Sequence, residues 1–558
     1  MDADVIIVGA GLAGLVTAHE LRRKGHRVAL VDQENAANLG GQAFWSFGGL
    51  FLVNSPEQRR LGISDSLDLA WRDWQGSAGW DRLSDENDQD HWARQWGRAY
   101  VEFAAGEKRS WIGQNGIKLT PMVGWAERGS GQADGHGNSV PRFHVAWGTG
   151  TGVSGPFAQS ALDAAHEGTL TFYHRHRVDN LIVEGGRVTG VSGARLAPDE
   201  SPRAVSSNRN VVGDFTLKAE AVVLATGGIG GNHDLVRKYW PERLGQPPRE
   251  MITGVPAYVD GRMLDIVGEA GARLVNRDRM WHYVEGVRNW APIWPRHAIR
   301  ILPGPSPLWF DALGRRLPAP ALPGYDTIAT LRYLRTTPDI AAYDHSWFIV
   351  SMDILSKEFA LSGSEQNRDI TDHKRLAVFK SRLSSKAPAE VEAFRQHGAD
   401  FVTADTLEEL VQKMNGLTDS PLLDAAHIRR QIEDRGAQID NPYAKDFQIQ
   451  GIHNSRRYLG DRLARTCKPH KILDPHHGPL VGVKLHTLTR KSLGGLQTDL
   501  SSRVLRADGQ VFEGLYAAGE ASGFGGGGVH GYNALEGTFL GGCIFSGLTA
   551  GRALNQTL

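Results

Sequence analysis

The chain has 558 residues, and its 62 lysines and arginines equal its 62 aspartates and glutamates. That length exceeds what one compact core usually serves, so two structural lobes with room for a large ligand are expected. Balanced charge gives no global field to hold nucleic acid or an anionic membrane, and Cys467 and Cys543 lack ligand spacing, which argues for a reducing compartment and against a structural metal site.

The N-terminus MDADVIIVGAG has no basic n-region, and no apolar run approaches the roughly 18 residues of a spanning helix, so a cytoplasmic protein is expected. Val5–Val8 reads as a buried strand. Gly9-Ala10-Gly11-Leu12-Ala13-Gly14 follows at once, and helical apolar spacing runs from Leu12 to Arg23. Val28–Val31 makes a second buried strand ending in Asp32. A strand, glycine turn, helix and acid within about 30 residues describe a dinucleotide site, with pyrophosphate at the helix N-terminus and a ribose on Asp32.

A second glycine-paired loop, Gly40-Gly41-Gln42-Ala43-Phe44-Trp45-Ser46-Phe47-Gly48-Gly49, comes next; a nicotinamide site does not require it. Residues 60–140 read as helices and excursions over the first lobe. Strands return from Thr169 to Leu196 with Gly185-Gly186 as a hairpin turn, 197–214 reads as a surface loop, and Ala221–Ala225 is a buried strand running into Thr226-Gly227-Gly228. Composition shifts after about residue 255, with aromatics from Trp281 to Trp294 and prolines to 338. Thr406-Leu407-Glu408-Glu409 opens a helix that Asn415-Gly416 closes. The expected division is 1–255 plus 473–558 around an inserted 256–472, with a final apolar helix from near Ala534.

The motifs GAGLAG, GGQAFWSFGG, AVVLATGG and GLYAAGEASGFGGGGVHG resemble the FAD-binding half of the fumarate reductase/succinate dehydrogenase flavoprotein superfamily, which also holds the 3-ketosteroid dehydrogenases. The resemblance implies an α/β fold, a Rossmann-like FAD-binding domain (GR2 type) with an inserted α+β substrate/cap domain, and non-covalent FAD. It places Gly9, Gly11, Ala13 and Gly14 at the pyrophosphate and Asp32 at the ribose. Gly40, Gly41, Gln42, Ser46, Gly48 and Gly49 run along pyrophosphate and flavin, and Val178, Ala225, Thr226 and Gly227 lie by the adenine. Gly519 and Glu520 reach the ribityl chain, and Ala534 and Leu535 open the helix aimed at the flavin pyrimidine. The glycines at 525–528 are expected to let the backbone pass close to the cofactor.

Fumarate reductases carry HGANRLGG where this chain has His530-Gly531-Tyr532-Asn533-Ala534-Leu535-Glu536-Gly537, so Ala534 replaces an arginine that clamps a carboxylate. Where a second arginine donates a proton, this chain has Tyr325 followed by Asp326. Both replacements lead away from a dicarboxylate site, and the tyrosine resembles the choice of the ketosteroid dehydrogenases, although Val529-His530-Gly531-Tyr532-Asn533 departs from their Tyr-Pro-Gly-Ala-Gly loop. They imply desaturation of a carbonyl compound, with Tyr325 as base and hydride passing to the flavin. Tyr283, His282, Arg300, His530 and Tyr532 are candidate helpers, between which spacing does not choose. An ene reductase acting on a non-dicarboxylate alkene is the alternative, and a partner-binding flavoprotein is a third reading. Without haem or iron–sulfur cysteine patterns, electrons are expected to pass to or from an external carrier.

Overall fold

A computed structural model describes residues 1–376, 378 and 386–558. The first sheet has six strands in the order Arg503–Leu505, Val511–Ala517, Ala221–Leu224, Val5–Val8, Val28–Asp32, Leu170–His174, parallel apart from the first pair. Its central strands are uninterrupted runs of apolar residues because both faces are covered. Val5 and Ile7 face the first and last helices, whereas Ile6 and Val8 face Val188, Val191 and Leu264 on the other side.

Leu12–Arg22 and Thr538–Thr557 are the helices of the first face. They approach closely because Gly547 lacks a side chain: a Cβ there would lie 2.5 Å from the Ala13 carbonyl oxygen. The last helix starts four residues later than expected. Gly537, at φ 86°, turns the chain into it.

Residues 60–140 supply the helices Leu67–Ala78, His91–Ala105 and Lys108–Gln114. The hairpin at Gly185-Gly186 joins His176–Glu184 to Arg187–Leu196, both glycines having positive φ. The surface loop is shorter than expected, because Val211–Lys218 adds a third strand to this ribbon. Leu407–Asn415 is capped by the Thr406 side chain, which accepts from the Glu409 amide.

The second sheet has eight strands. Its centre is Leu480–Ser492, which pairs with Met280–Arg288, His345–Ser351, Ile252–Thr253 and Phe401–Ala404, and so draws the segment after residue 473 into the inserted half's sheet. Ala298–Leu302 lies beyond Met280–Arg288. One apolar cluster, from Trp281 and Val284 through Phe348, Val481 and Leu488, fills this half. The resulting fold is a Rossmann-type domain joined to a mixed α+β half. Among the described residues no helix is long and apolar enough to cross a membrane.

Candidate active site

At the ends of the parallel strands lies a cleft of about 1000 Å³. Gly9, Gly11 and Ala13 line it from the first turn, Asp32 from the second strand, and Gly41 and Gln42 from the following loop. Val178, Ala225, Thr226 and Gly227 form another wall, and Gly519 and Glu520 close the far end. The three turn glycines differ in role. A Cβ on Gly9 would meet the Ala225 oxygen at 2.5 Å and one on Gly14 the Gly9 oxygen at 2.1 Å, so both answer to chain packing; a Cβ on Gly11 meets nothing closer than 3.9 Å. Gly11 therefore leaves the backbone open to the cleft, with room for a ligand to approach it. It is also the residue just before Leu12–Arg22, whose free amides favour an anion. Gly14 and Gly40 stand behind the wall, Gly40 pairing with Gly11.

The cleft fits FAD chemically. Asp32 accepts from the amides of Ala10 (2.7 Å) and Glu34 (2.8 Å). Burial pushes its carboxyl up to about 6, and ribose hydroxyls would satisfy its remaining lone pairs. Glu520 Oε2 accepts from Gln42 Nε2 at 2.5 Å, and Oε1 from the Ser492 amide at 2.9 Å. Lys491 Nζ donates to Gln42 Oε1 at 2.6 Å, and burial lowers that ammonium to about 8. Tyr258 and Arg262 also line the cleft and carry no signal in the sequence.

Gln42 and Ala43 line a second cavity too, of about 750 Å³, so the two spaces adjoin. Ser46 and Gly49 belong to this one; Gly48, at φ 85°, turns the loop between them against Thr149. Phe47, Phe143 and Phe539 give it aromatic walls. Its polar groups are Tyr283, Arg300, Arg490, Lys491, Ser362 and Glu536. The Tyr283 hydroxyl donates to Glu536 Oε1 (3.2 Å), and the Arg300 guanidinium lies 3.8 Å over the Tyr283 ring. Arg300 Nη1 holds Glu536 at 2.7 Å and Nη2 holds Glu127 at 2.5 Å. Burial first, then the Glu536 carboxylate, pushes Tyr283 well above the ordinary phenol range. Arg490 is anchored by one nitrogen on the Gly254 carbonyl.

Of the four residues expected at the chemistry, only Tyr283 lines this cavity. Tyr325 lies beneath the helix Phe447–Ser455, its hydroxyl so near Gly451 that a Cβ there would sit 2.3 Å away. His530 is stacked on Trp74 at 5.5 Å, with Phe524 and Phe539 beside it. Neither of its ring nitrogens has a partner, and burial lowers it to about 3. Tyr532 carries the guanidiniums of Arg279 (4.1 Å) and Arg243 (4.6 Å) on its ring and donates to Asp81. Ala534 and Leu535 are buried in apolar clusters, and the next residues, Glu536 and Gly537, reach the cavity instead. The glycine run faces away from both spaces: a Cβ on Gly525 would strike Trp96, on Gly526 the backbone of Trp92 and Ala93, and on Gly528 Asn276. What approaches Gly525 and Gly526 is the helix His91–Ala105, while Gly527 meets Val275 and Gln497 and Gly528 meets Asn276.

A Rossmann-type cleft opening onto a polar-edged aromatic cavity defines an FAD-dependent oxidoreductase. The FAD binding domain family model matches residues 4–540, and the chain belongs to that family. It is 59 % identical over 539 residues to a KsdD-like steroid dehydrogenase of Mycolicibacterium smegmatis, covering 97 % of this chain and 96 % of that protein. A KsdD-like steroid dehydrogenase of Mycobacterium tuberculosis is 56 % identical over 558 residues, which is all of this chain and 96 % of the relative. Among solved structures, the fold is similar to a 3-ketosteroid delta1-dehydrogenase from Sterolibacterium denitrificans in complex with 1,4-androstadiene-3,17-dione, with a TM-score of 0.67 at 17 % identity and full coverage of both chains.

Proposed function

We propose that this chain is an FAD-dependent dehydrogenase that introduces a double bond beside the carbonyl of a steroid-like ketone. The observation that carries this reading is the Tyr283–Glu536 hydrogen bond on the wall of an aromatic cavity adjoining the FAD cleft. A phenol held so far above its ordinary range is a poor free phenolate. Its oxygen can nevertheless take the proton α to the carbonyl while its own proton passes to Glu536, so that a carboxylate is the real acceptor. Arg300 fixes both partners. Arg490 supplies the donor for the developing enolate oxygen. Bound FAD supplies the acceptor for the hydride from the β carbon, and the electrons leave to an external carrier. The relatives named steroid dehydrogenases support the substrate class.

The test is anaerobic mixing of the yellow holoenzyme with a panel of saturated 3-ketosteroids while the flavin absorbance is followed. Tyr283→Phe is expected to slow bleaching by roughly 100-fold or more, and Tyr325→Phe by little. The reverse order would return the base to Tyr325. No bleaching by any ketone, with reoxidation of the reduced enzyme by an activated alkene, would favour an ene reductase; the cationic edge of Arg300, Arg490 and Lys491 would then take an acidic acceptor.

A further inference from the structure

Behind the Arg300 wall, three carboxylates gather around one guanidinium and a fourth, Asp326, stands beside Glu127. Glu127, Glu285 and Asp326 are each at most 5 % exposed, and the Glu536 side chain is 11 % exposed. Arg300 reaches Glu127 and Glu536 directly and lies 3.5 Å from Glu285 through Nε. Thr327 supplies neutral donors, its hydroxyl to Glu285 (3.1 Å) and its amide to Glu127 (3.4 Å). Tyr283 and Arg490 face the cluster from the cavity. On the far side His136 Nε2 stands 3.5 Å from Glu127 Oε2, and ligating atoms of Glu127, His136 and Asp326 all lie within 4.8 Å of one another.

The backbone builds this cluster deliberately. Arg128 N bonds Gly324 O (2.9 Å) and Gly129 N bonds Tyr325 O (2.8 Å), which pins the loop carrying Glu127 and His136 against Asp326. Residues 131–134 of the same loop are exposed, and the other ring nitrogen of His136 meets the Ser77 hydroxyl at 3.2 Å. Each uncompensated buried charge costs several kcal/mol, so four ionised carboxylates with one arginine and one distant second are not a stable state. Protons must make up the difference. Burial pushes Glu127 up, and although burial lowers His136 the Asp326 and Glu127 carboxylates raise it overall, so these two groups are where such protons are held.

We propose that Glu127, His136 and Asp326 are a buried proton store that receives the proton removed from substrate at Tyr283 and Glu536 and releases it to solvent through His136. The proposal rests on the dehydrogenase reading above. In the step, the α C–H bond breaks, its proton goes to the Tyr283 oxygen and the Tyr283 proton to Glu536; the hydride goes to FAD, which takes both electrons. His136 delivers its proton to water and takes the one held on Glu127, and the Glu536 proton then refills Glu127, both carboxylates sharing Arg300. One proton is thus released per two-electron reduction.

A single anaerobic turnover in weak buffer, with a pH dye and flavin absorbance followed together, tests it. In the wild-type holoenzyme proton release is expected to keep step with bleaching. His136→Asn is expected to bleach in the first turnover nearly as fast, with proton release delayed roughly tenfold or more. His136→Gln serves if the first variant does not retain FAD, and Glu127→Gln is expected to shift the pH profile of bleaching. Release in step with bleaching in the His136 variants would overturn the relay while leaving the dehydrogenase reading intact. No ketosteroid bleaching by wild type would remove both. One equivalent of divalent metal in the purified protein, lost in Glu127→Gln, would also overturn the relay and make the cluster a cation site.

Discussion

Arg300 neutralises Glu536 and Glu127 through two different nitrogens while its flat face covers Tyr283. Removing it leaves buried carboxylates facing one another, so Arg300→Ala is expected to cost about 3–5 kcal/mol of stability, read as a lowered denaturation midpoint. Arg300→Lys should recover only part of this, because an ammonium cannot hold two carboxylates in a fork. Asp32 carries a pH signature. Its folded-state pKa, about 6, lies above the ordinary 3.8, so the native state binds this proton more tightly than the unfolded chain does. Stability from this group is full below about pH 4 and is lost as pH rises through 6, a change of roughly 3 kcal/mol. Asp32→Asn in the FAD-free protein is accordingly expected to raise the thermal midpoint at pH 8, to leave it unchanged near pH 4, and to weaken FAD binding. An equal gain at both pH values would mean that Asp32 ionises unhindered.

Helix Phe447–Ser455 lies over Tyr325 through Gly451, and the geometry there predicts a compensating pair. Gly451→Ala puts a methyl 2.3 Å from the phenol oxygen and is expected to cost about 1–3 kcal/mol. Adding Tyr325→Phe should return most of it, which a double-mutant cycle of denaturation midpoints measures. The same contact shows why the sequence misleads here. Pro-Gly-Tyr-Asp stands out in the chain, but a helix more than 120 residues later covers the tyrosine. The nucleotide turn was readable because strand, glycines, helix and Asp32 act within 32 residues, even though Gly9 answers to the distant Ala225 carbonyl. The second cavity has no such unit. Tyr283, Arg300 and Arg490 meet through sheet register, Arg300 pairing with Gly286 on the strand that carries Tyr283, while Ser46 and Glu536 come to them from loops. Arg300 and Tyr283 could be named as helpers from the motifs alone, whereas Glu536 was visible only as the residue replacing a glycine in the C-terminal motif. The run Gly525–Gly528 signalled close approach correctly, but could not say that what approaches Gly525 and Gly526 is a tryptophan-bearing helix.

The two sheets are held together across the FAD cleft by a short polar chain. Lys491 ends the central strand of the second sheet, Gln42 comes from the first-sheet side, and Glu520 from the C-terminal segment; Lys491 donates to Gln42 and Gln42 to Glu520. Each half also has its own apolar cluster, the two meeting along a limited seam where Met280 joins the cluster behind the first sheet and Trp240 packs on both, so these contacts and the cofactor between them add to that seam in coupling the halves. FAD binds only the native arrangement and is expected to add about 2.7 kcal/mol at a free concentration one hundred times its dissociation constant. Stripping it should therefore do more than lower the midpoint. The half containing the cleft of about 1000 Å³ loses its bound partner, while the half built on Leu480–Ser492 does not. Scanning calorimetry is expected to show one transition for the holoenzyme and two for the FAD-free protein, the earlier one moving up with added FAD. Gln42→Ala, which cuts the polar chain in the middle, should separate the transitions further. A single transition whose midpoint ignores FAD would mean that the halves are coupled by their cores and that the polar chain serves the cofactor alone.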